Sequence, residues 1–230
     1  AQEKGIKTII DFFGIRLAKH LVEQNRKSDL IIGNNVFAHV PDVNDFVGGM
    51  KIALNDGGVI TLEFPHLMQL VEQNQFDTIY HEHFSYFSFY TASLIFDKHG
   101  LELFDVEQIP THGGSLRIYG KHKEDASKSI SSNVADLLKE EAKGMRNIEY
   151  YKGFQEQVNE VKINLVSFLL EQKKLDKKVV AYGAAAKGST LLNYCGVKND
   201  LIEFVMDASP HKQGKYLPGS HIPIVTEEMI

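Results

Sequence analysis

The amino-acid sequence predicts an α/β fold in three segments: a first sheet with its helices over residues 1–122, a helical connector over residues 123–177, and the beginning of a second sheet over residues 178–230. Short apolar segments of strand length alternate with stretches of about 10 to 15 residues whose apolar positions recur at helical spacing. In the middle segment the composition shifts to charged helix formers. Such alternation favours a parallel sheet covered on both faces, with ligands at the carboxyl ends of its strands.

Two strands and a helix are predicted at the start of the chain. Residues 6–11 are apolar and β-branched, which is typical of a buried strand, and they end on Asp11. Apolar residues at helical spacing over 15–22 predict a helix, and residues 29–32 predict another short buried strand. We therefore expect site residues after Asp11 and after Ile32.

A second strand and helix follow the same pattern. Pro41 and Asp42 begin a predicted amphipathic helix, whose apolar face ends at Leu54. A turn at 55–58 leads to a predicted strand over 59–64, whose end is the third place where site residues are expected.

The first segment closes with a helix and two strands. Thr91 is its predicted N-cap and Gly100 lies just past its end. Residues 101–106 then predict one strand. Residues 115–119 alternate apolar and polar side chains, as a half-buried strand near a sheet edge would.

The connector and the second sheet are predicted from shorter signals. Apolar residues spaced four and three apart over 154–168 favour a helix that packs on a domain, because two heptads are too few to support a self-associating coiled coil. Beyond it, strands, a turn and a helix are predicted over residues 179–182 (strand), 183–188 (turn), 189–194 (helix), 202–206 (strand) and 222–225 (a third strand).

Composition excludes several classes of function. The net charge of −5 and the pI near 6.1 oppose binding to nucleic acid, which needs a cationic surface. No apolar run is long enough to cross a bilayer and no signal peptide is visible, so we expect no membrane partner and a cytoplasmic location. The single Cys195 excludes an intrachain disulfide and a multi-cysteine zinc site.

The densest group of proton-transfer side chains lies in residues 77–87. Tyr80, His81, Glu82 and His83 stand side by side there. In an extended segment the tyrosine and glutamate would share one face and the two histidines the other, whereas in an irregular loop all four could converge. These residue types suit general acid-base catalysis, and the alternative is a polar loop whose histidines bind backbone groups.

His39 lies just past a predicted strand end, where an α/β crevice is expected. Together with His81 and His83 it raises the possibility of a histidine-ligated metal. The sequence has no HExxH helix to support such a site, and we expect no metal.

The turn over 183–188 follows a strand and precedes a helix, so its small residues would let backbone amides approach a phosphate. It departs from the GxGxxG pattern at Ala185 and from the Walker pattern at Lys187, and an ordinary tight turn is the alternative. Asp207, after the next strand, is placed like the ribose-binding acid of dinucleotide folds. Loops over 111–117 and 210–215 add glycines beside cations, which suit an anionic ligand.

Five segments, taken in order, resemble the S-adenosylmethionine-dependent sugar-nucleotide C-methyltransferases, which methylate C-3 of a deoxythymidine-diphosphate 4-keto-6-deoxysugar. The segments are NNVFAHVPD, EFPHLMQLVEQNQFDTIYHEHFSYFS, HGGSLRIY, VVAYGAAAKGSTLLNYCG and PHKQGKYLPGSHIPI. The resemblance implies a partial class I methyltransferase sheet, which is Rossmann-like, followed by a second Rossmann-like domain. It also implies an internal fragment without the family's N-terminal zinc module, the only place where zinc is expected, and without the glycine-rich cofactor turn.

The resemblance assigns roles to individual residues. It implies that His83 is the base that removes the proton next to the ketone, with Glu82, Tyr80 and His39 also lining the reaction site. It places the cofactor, S-adenosylmethionine, near Asn34 and Asn35. We add Asp11 to the cofactor residues from its place at a predicted strand end. Sugar-nucleotide contacts are expected from the glycine- and cation-bearing loops, at His112, Gly113, Arg117, Gly183, Ala184, Ala185, Lys187 and Lys212.

Three functions from different classes are therefore carried forward. The first is a C-methyltransferase that acts on a small-molecule sugar nucleotide. The second is a sugar-nucleotide-binding module without catalysis, and the third is a histidine-ligated metalloenzyme. The sequence decides neither the sugar, the base on its nucleotide nor the oligomeric state.

Overall fold

The computed structural model describes residues 1–229 and divides into two compact units. Unit 1 comprises residues 1–69 and 83–146, and unit 2 comprises residues 70–82 together with the chain from residue 147 onward. One of the three boundaries between the units therefore falls between Glu82 and His83, inside the segment with the most proton-transfer groups. The predicted α/β class is confirmed in both units.

Unit 1 is built on a four-stranded sheet with the order β1-β2-β4-β3. Its strands are β1 (Ser28–Asn34), β2 (Leu54–Pro65), β3 (Leu101–Ile109) and β4 (Ser115–His122). Strands β1 and β2 are parallel, whereas β4 is antiparallel to both of its neighbours. The expectation of a wholly parallel sheet is wrong for unit 1, because the short link between β3 and β4 cannot make the long crossover that parallel pairing needs. Consequently β4 is central and its apolar side chains are buried, although the sequence placed this strand near an edge.

The predicted strand over residues 6–11 does not form. These residues pair with no strand, and Ile6 and Ile10 are 59% and 86% exposed. A β-branched sequence becomes a strand only when a partner accepts its backbone hydrogen bonds, so local propensity was insufficient here. Asp11 therefore does not lie at a strand end; its carboxylate accepts hydrogen bonds from Arg16 and from the Phe12 amide, and the Arg16 contact lowers the pKa of this carboxyl.

Strand β1 forms as predicted, but its side chains are largely exposed rather than buried. It is an edge strand of the sheet in the described residues, paired with β2 alone. The predicted turn at 55–58 is a bulge inside β2, where pairing with β1 shifts register and Gly57 adopts a φ of 72°.

The helices predicted over 15–22, after Pro41 and after Thr91 form in unit 1, together with two over 67–72 and 132–142 that the sequence did not predict individually. They are α1 (Ile15–Glu23), α2 (Val43–Ala53), α4 (Phe89–Lys98) and α5 (Ser132–Ala142), while α3 (Leu67–Glu72) crosses the boundary into unit 2. Asp42 caps α2 by accepting hydrogen bonds from the Asn44 and Asp45 amides. For α4 the predicted cap was wrong: Ser88 has the extended backbone of an N-cap and its Oγ accepts from the Thr91 amide, so Thr91 lies in the first turn.

An aromatic core fills the space between the helices of unit 1 and its sheet. The fully buried phenylalanines are Phe37, Phe64, Phe89 and Phe96. Helices α1 and α2 approach closely where Gly14 meets Gly49: a Cβ added at Gly49 would lie 2.6 Å from the carbonyl carbon of Gly14. This contact requires glycine.

Unit 2 contains a parallel sheet with the order β5-β6-β7, as the sequence predicted. Its elements are α6 (Phe154–Lys174), β5 (Ala181–Tyr182), α7 (Ala186–Cys195), β6 (Val205–Met206) and β7 (Ile224–Val225). The strands have two residues each, shorter than predicted. The residues predicted as a connector are divided, since α5 belongs to unit 1 and α6 buries Leu169 in the core of unit 2. None of the helices in residues 1–229 is long and apolar enough to span a membrane.

Candidate active site

The carboxyl end of β1 carries the first group of site residues. Asn34 ends the strand, and Asn35 follows with a φ of 53°, a left-handed conformation that asparagine tolerates. The Asn35 amide donates to the Glu63 carbonyl at 2.8 Å, and its side-chain nitrogen lies 3.3 Å from His112 Nε2. A short 3₁₀ turn, Phe37–His39, then places His39 beside this strand end.

Two imidazoles separated by more than forty positions in the chain meet here. The rings of His39 and His83 are in edge-to-face contact, with 4.7 Å between their centroids. The Ala38 carbonyl accepts hydrogen bonds from the amides of Phe84 and Ser85, which fixes the backbone that follows His83. The segment is an irregular loop and not a strand, so the structure decides between the two conformations that the sequence left open.

The aromatic residues next to His83 anchor the loop in unit 1. Phe87 stacks on Phe37 with 4.2 Å between ring centroids, and it also contacts Phe64 edge-on. The ring of Tyr86 lies 5.7 Å from that of His83. The packing of Phe87 on the buried core restricts the backbone near His83. A positioned acid-base group requires such a restriction.

Unit 2 holds the preceding part of the loop. A 3₁₀ turn, Phe76–Thr78, packs on α7 through the rings of Phe76 and Tyr194, 5.2 Å apart. Tyr80 is half-buried, whereas His81 and Glu82 are exposed. Burial, and secondarily the negative charges of Glu82 and Asp77, raise the pKa of the Tyr80 phenol above its ordinary value. Tyr80 is therefore a hydroxyl donor at neutral pH.

The raised pKa of Tyr80 leads to a prediction about pH. We expect its phenol to stay protonated beyond pH 10.0, the ordinary pKa of tyrosine. Loss of this proton should therefore not lower the catalytic rate at any pH below 10.0. Tyr80→Phe should lower kcat by about 10- to 100-fold without moving the profile between pH 6 and 9. Tyr86→Phe is the matched control. A Tyr80→Phe profile with a new limb in this range would contradict the prediction.

Glu63, at the carboxyl end of β2, is a site residue that sequence reasoning missed. Its side chain is buried, and its two oxygens accept hydrogen bonds from Thr111 Oγ1 at 3.1 Å and Arg117 Nη2 at 3.0 Å. The hydrogen bond to Glu63 raises the pKa of Arg117, whose other terminal nitrogen lies 3.5 Å from Glu107. The available signal was the position of Glu63 near the end of the strand predicted over 59–64, because α/β sites lie at the carboxyl ends of strands.

The predicted substrate residues of the loop between β3 and β4 share this end of the sheet. His112 has a φ of 55° and Gly113 a φ of 87°, and both are exposed. Gly114 packs closely on Gln69, since a Cβ added at Gly114 would lie 2.8 Å from the Gln69 side chain. The structure therefore brings Asn35, Arg117 and this loop together in unit 1.

The turn predicted over 183–188 is shorter than expected, because residues 186–188 form the first turn of α7, which was predicted to begin at residue 189. Gly183 has a φ of 90°, and α7 begins at Ala186 without a side-chain cap. Asp207 holds the turn: its carboxylate accepts from the Ala184 amide at 2.7 Å, from the Ser209 amide at 2.9 Å and from Lys212 Nζ at 3.1 Å. These hydrogen bonds lower the pKa of Asp207, and the bond from the Ser209 amide has the largest effect. Both carboxylate oxygens of Asp207 thus accept hydrogen bonds from groups of this protein. The comparison of Asp207 with a ribose-binding acid did not predict these bonds.

The residues beside β1 fit part of a site for S-adenosylmethionine. Such a molecule needs polar groups at a strand end and an apolar wall. Asn34 and Asn35 supply amides, and Leu30 and Ile32 are apolar side chains that are more than half exposed. Asp11 is instead engaged by the neighbouring arginine described above. Among residues 1–229 no group of three or more His, Cys, Asp or Glu side chains could hold a metal ion.

Unit 1 is a mixed α/β sheet with amide and imidazole groups near the carboxyl end of β1, and residues 8–106 match the family described as methyltransferase domain. Residues 110–230 match the C-methyltransferase C-terminal domain family. The chain therefore belongs to the C-methyltransferase family, which confirms the expected C-methyltransferase class and its cofactor, S-adenosylmethionine.

The chain is also similar to individual proteins. The chain is 35% identical over 229 residues to the C-methyltransferase NovU of Streptomyces niveus, covering 99% of this chain and 54% of that protein. The chain thus spans about half the length of this relative. Similar solved structures include the magnesium protoporphyrin IX methyltransferase of Synechocystis PCC 6803 (TM-score 0.34, 12% identity, 41% of this chain and 44% of that one) and an O-methyltransferase family protein from Burkholderia thailandensis (TM-score 0.35, 12% identity, 52% and 35%).

Proposed function

We propose that the protein transfers a methyl group from S-adenosylmethionine to a carbon atom of a nucleotide-linked 4-keto-6-deoxysugar. The observation that carries the proposal is the contact of His39 with His83 at the carboxyl end of β1, next to Asn34 and Asn35. Carbon must lose a proton before it can attack a methyl group, and a positioned imidazole is a suitable base for that proton.

His83 accepts the proton from the carbon next to the ketone. The C–H electron pair becomes the enolate, and its negative charge collects on the ketone oxygen. An N–H of His39 and the phenol of Tyr80 are the donors for that oxygen, and the raised pKa of Tyr80 keeps its proton available. Glu82, adjacent to His83 in the chain, orients an imidazole. When bound, the cofactor supplies an electrophilic methyl group, and Asn34 and Asn35 are the residues that would hold it.

The nucleotide part of the substrate is assigned to the cation-bearing loops. The turn over Gly183, Ala184 and Ala185 leads into α7, and the amides of Gly183 and Ala184 donate to the Met206 carbonyl and to Asp207. The groups assigned to the diphosphate are therefore the start of α7 and Lys187, which lies in the first turn of that helix. These groups are suited to a diphosphate. In unit 1, His112, Gly113 and Arg117 are assigned to the substrate because glycines beside cations suit an anionic ligand, while Lys212 in unit 2 already pairs with Asp207.

The reaction itself tests the proposal. The whole protein is incubated with a deoxythymidine-diphosphate 4-keto-6-deoxysugar and S-adenosylmethionine that carries a ¹³C-labelled methyl group. We expect a sugar nucleotide heavier by one methylene group, with a ¹³C signal typical of a methyl bonded to carbon. A methyl on oxygen, or binding of the sugar nucleotide without any transfer by folded protein, would reject the proposal, and the second result would favour a binding module.

Lys187→Ala is expected to raise KM for the sugar nucleotide by about 10- to 100-fold with little change in kcat, since a charge-assisted hydrogen bond contributes about 1.5–3 kcal/mol. The measurement is steady-state kinetics with the nucleotide-linked sugar. Lys198→Ala, an exposed lysine just beyond α7, is the control and should leave KM unchanged. An equal effect of the two substitutions would indicate a general loss of positive charge and not a diphosphate site.

A further inference from the structure

A buried carboxylate that the proposed reaction does not use lies behind the loop of His83. Glu141, in α5, is only 1% exposed. Its Oε1 accepts hydrogen bonds from the Phe89 amide at 2.6 Å and from His66 Nε2 at 2.7 Å, and its Oε2 accepts from the Tyr90 amide at 2.8 Å. A single side chain of α5 thus binds the first turn of α4, which begins six residues after His83.

His66 is the second member of this buried pair. Its side chain is fully buried, and Nδ1 has no hydrogen-bond partner among residues 1–229. Its amide donates to the Gly114 carbonyl at 3.1 Å, and it forms a backbone bridge with Phe87. His66 therefore joins three segments that carry site residues: the end of β2, the glycine-rich turn before β4, and the end of the loop over residues 77–87, here called the reactive loop.

Glu141 completes the cap of α4 from a distant part of the chain. The Oγ of Ser88, the N-cap of α4, accepts only from the Thr91 amide among residues 1–229, so the amides of Phe89 and Tyr90 depend on Glu141. Burying a carboxylate is unfavourable unless hydrogen bonds replace those it loses to water. Glu141 accepts such bonds from the amides of Phe89 and Tyr90, which lie just after the loop. The other end of the same loop segment is held by the Ala38 carbonyl, which accepts from the amides of Phe84 and Ser85. The segment from Phe84 to Tyr90 is therefore fixed at both ends.

We propose that Glu141 and His66 are positioning residues, a buried clasp that fixes the end of the reactive loop and thereby holds His83 in contact with His39. The clasp acts through backbone amides and touches no substrate. The inference rests on the proposed function for its kinetic consequence, whereas its structural part concerns unit 1 alone. A base displaced by a fraction of an ångström loses much of its effect, because proton transfer needs a near-attack geometry.

The test uses Glu141→Gln in the whole protein, a nearly isosteric change that replaces one acceptor oxygen by an NH₂ group facing a backbone donor. We expect faster amide hydrogen exchange at residues 84–92, a shifted ring ¹⁵N resonance of His83, and a kcat lower by about 10- to 100-fold with KM little changed. Glu140→Gln, an exposed neighbour on α5, is the matched control. His66→Gln retains an N–H donor for Glu141 and should preserve more activity than His66→Leu.

The outcomes separate the clasp from the reaction. Unchanged exchange at residues 84–92 in Glu141→Gln, or faster exchange spread over all of unit 1, would overturn the proposal, as would equal activity in His66→Gln and His66→Leu. If the wild-type protein transfers no methyl group, the proposed function fails. The exchange and the His83 resonance then decide by themselves whether the clasp holds the loop.

Discussion

His83→Ala is expected to lower kcat for carbon methylation by about 10³-fold, because a positioned general base typically contributes about 10²- to 10⁴-fold. The fold should be unaffected, since His83 lies in a loop and is only half-buried. The measurement is single-turnover methyl transfer followed by mass spectrometry of the sugar nucleotide. Incubation in ²H₂O without S-adenosylmethionine isolates the proton transfer, and the variant should lose exchange at the carbon next to the ketone.

His81→Ala is the control for this prediction. It removes the same side chain two positions earlier in the same loop, but His81 is exposed and belongs to unit 2, so methyl transfer should stay near the wild-type rate. A His83→Ala variant with undiminished transfer would remove the assigned base. Equal losses in the two variants would mean that the loop responds to any substitution and that His83 has no special role.

The second large effect is expected on stability. Gly49→Val should lower the free energy of unfolding by about 3 kcal/mol, at the upper end of the usual cost of overpacking. A Cβ at this position would lie 2.6 and 2.8 Å from the carbonyl carbon and oxygen of Gly14. Both atoms are backbone, so relief requires that α1 move away from α2, and the buried Leu17 and Ala18 would lose packing.

Urea unfolding monitored by circular dichroism measures this change, with Gly48→Ala as the control. A Cβ at Gly48 would meet the end of the Ile15 side chain at 3.0 Å, and that flexible end can rotate away. The control should therefore unfold close to the wild-type midpoint. A Gly49→Val protein with the same midpoint as the wild type would show that the α1–α2 contact is looser than the glycines imply.

Local signals were sufficient for several helix boundaries. Asp42 caps α2 where the sequence placed its start, and Gly100 follows the end of α4. Helix ends depend on side chains within three or four residues, so they are visible in a short window of sequence. The turn before α7 was predicted for the same reason, because Gly183 and the small residues after it lie next to each other in the chain.

The sequence by itself determined the α/β class, most helices, and the residue types that suit acid-base chemistry around His83. Only the tertiary structure decided that residues 6–11 form no strand, that β4 pairs antiparallel at the centre of the sheet, and that His83 meets His39. Buried Glu63 and Glu141 also emerged only there. The physical reason is that strand pairing and side-chain contacts join residues tens of positions apart, and their free energy depends on the partner and not on local propensity.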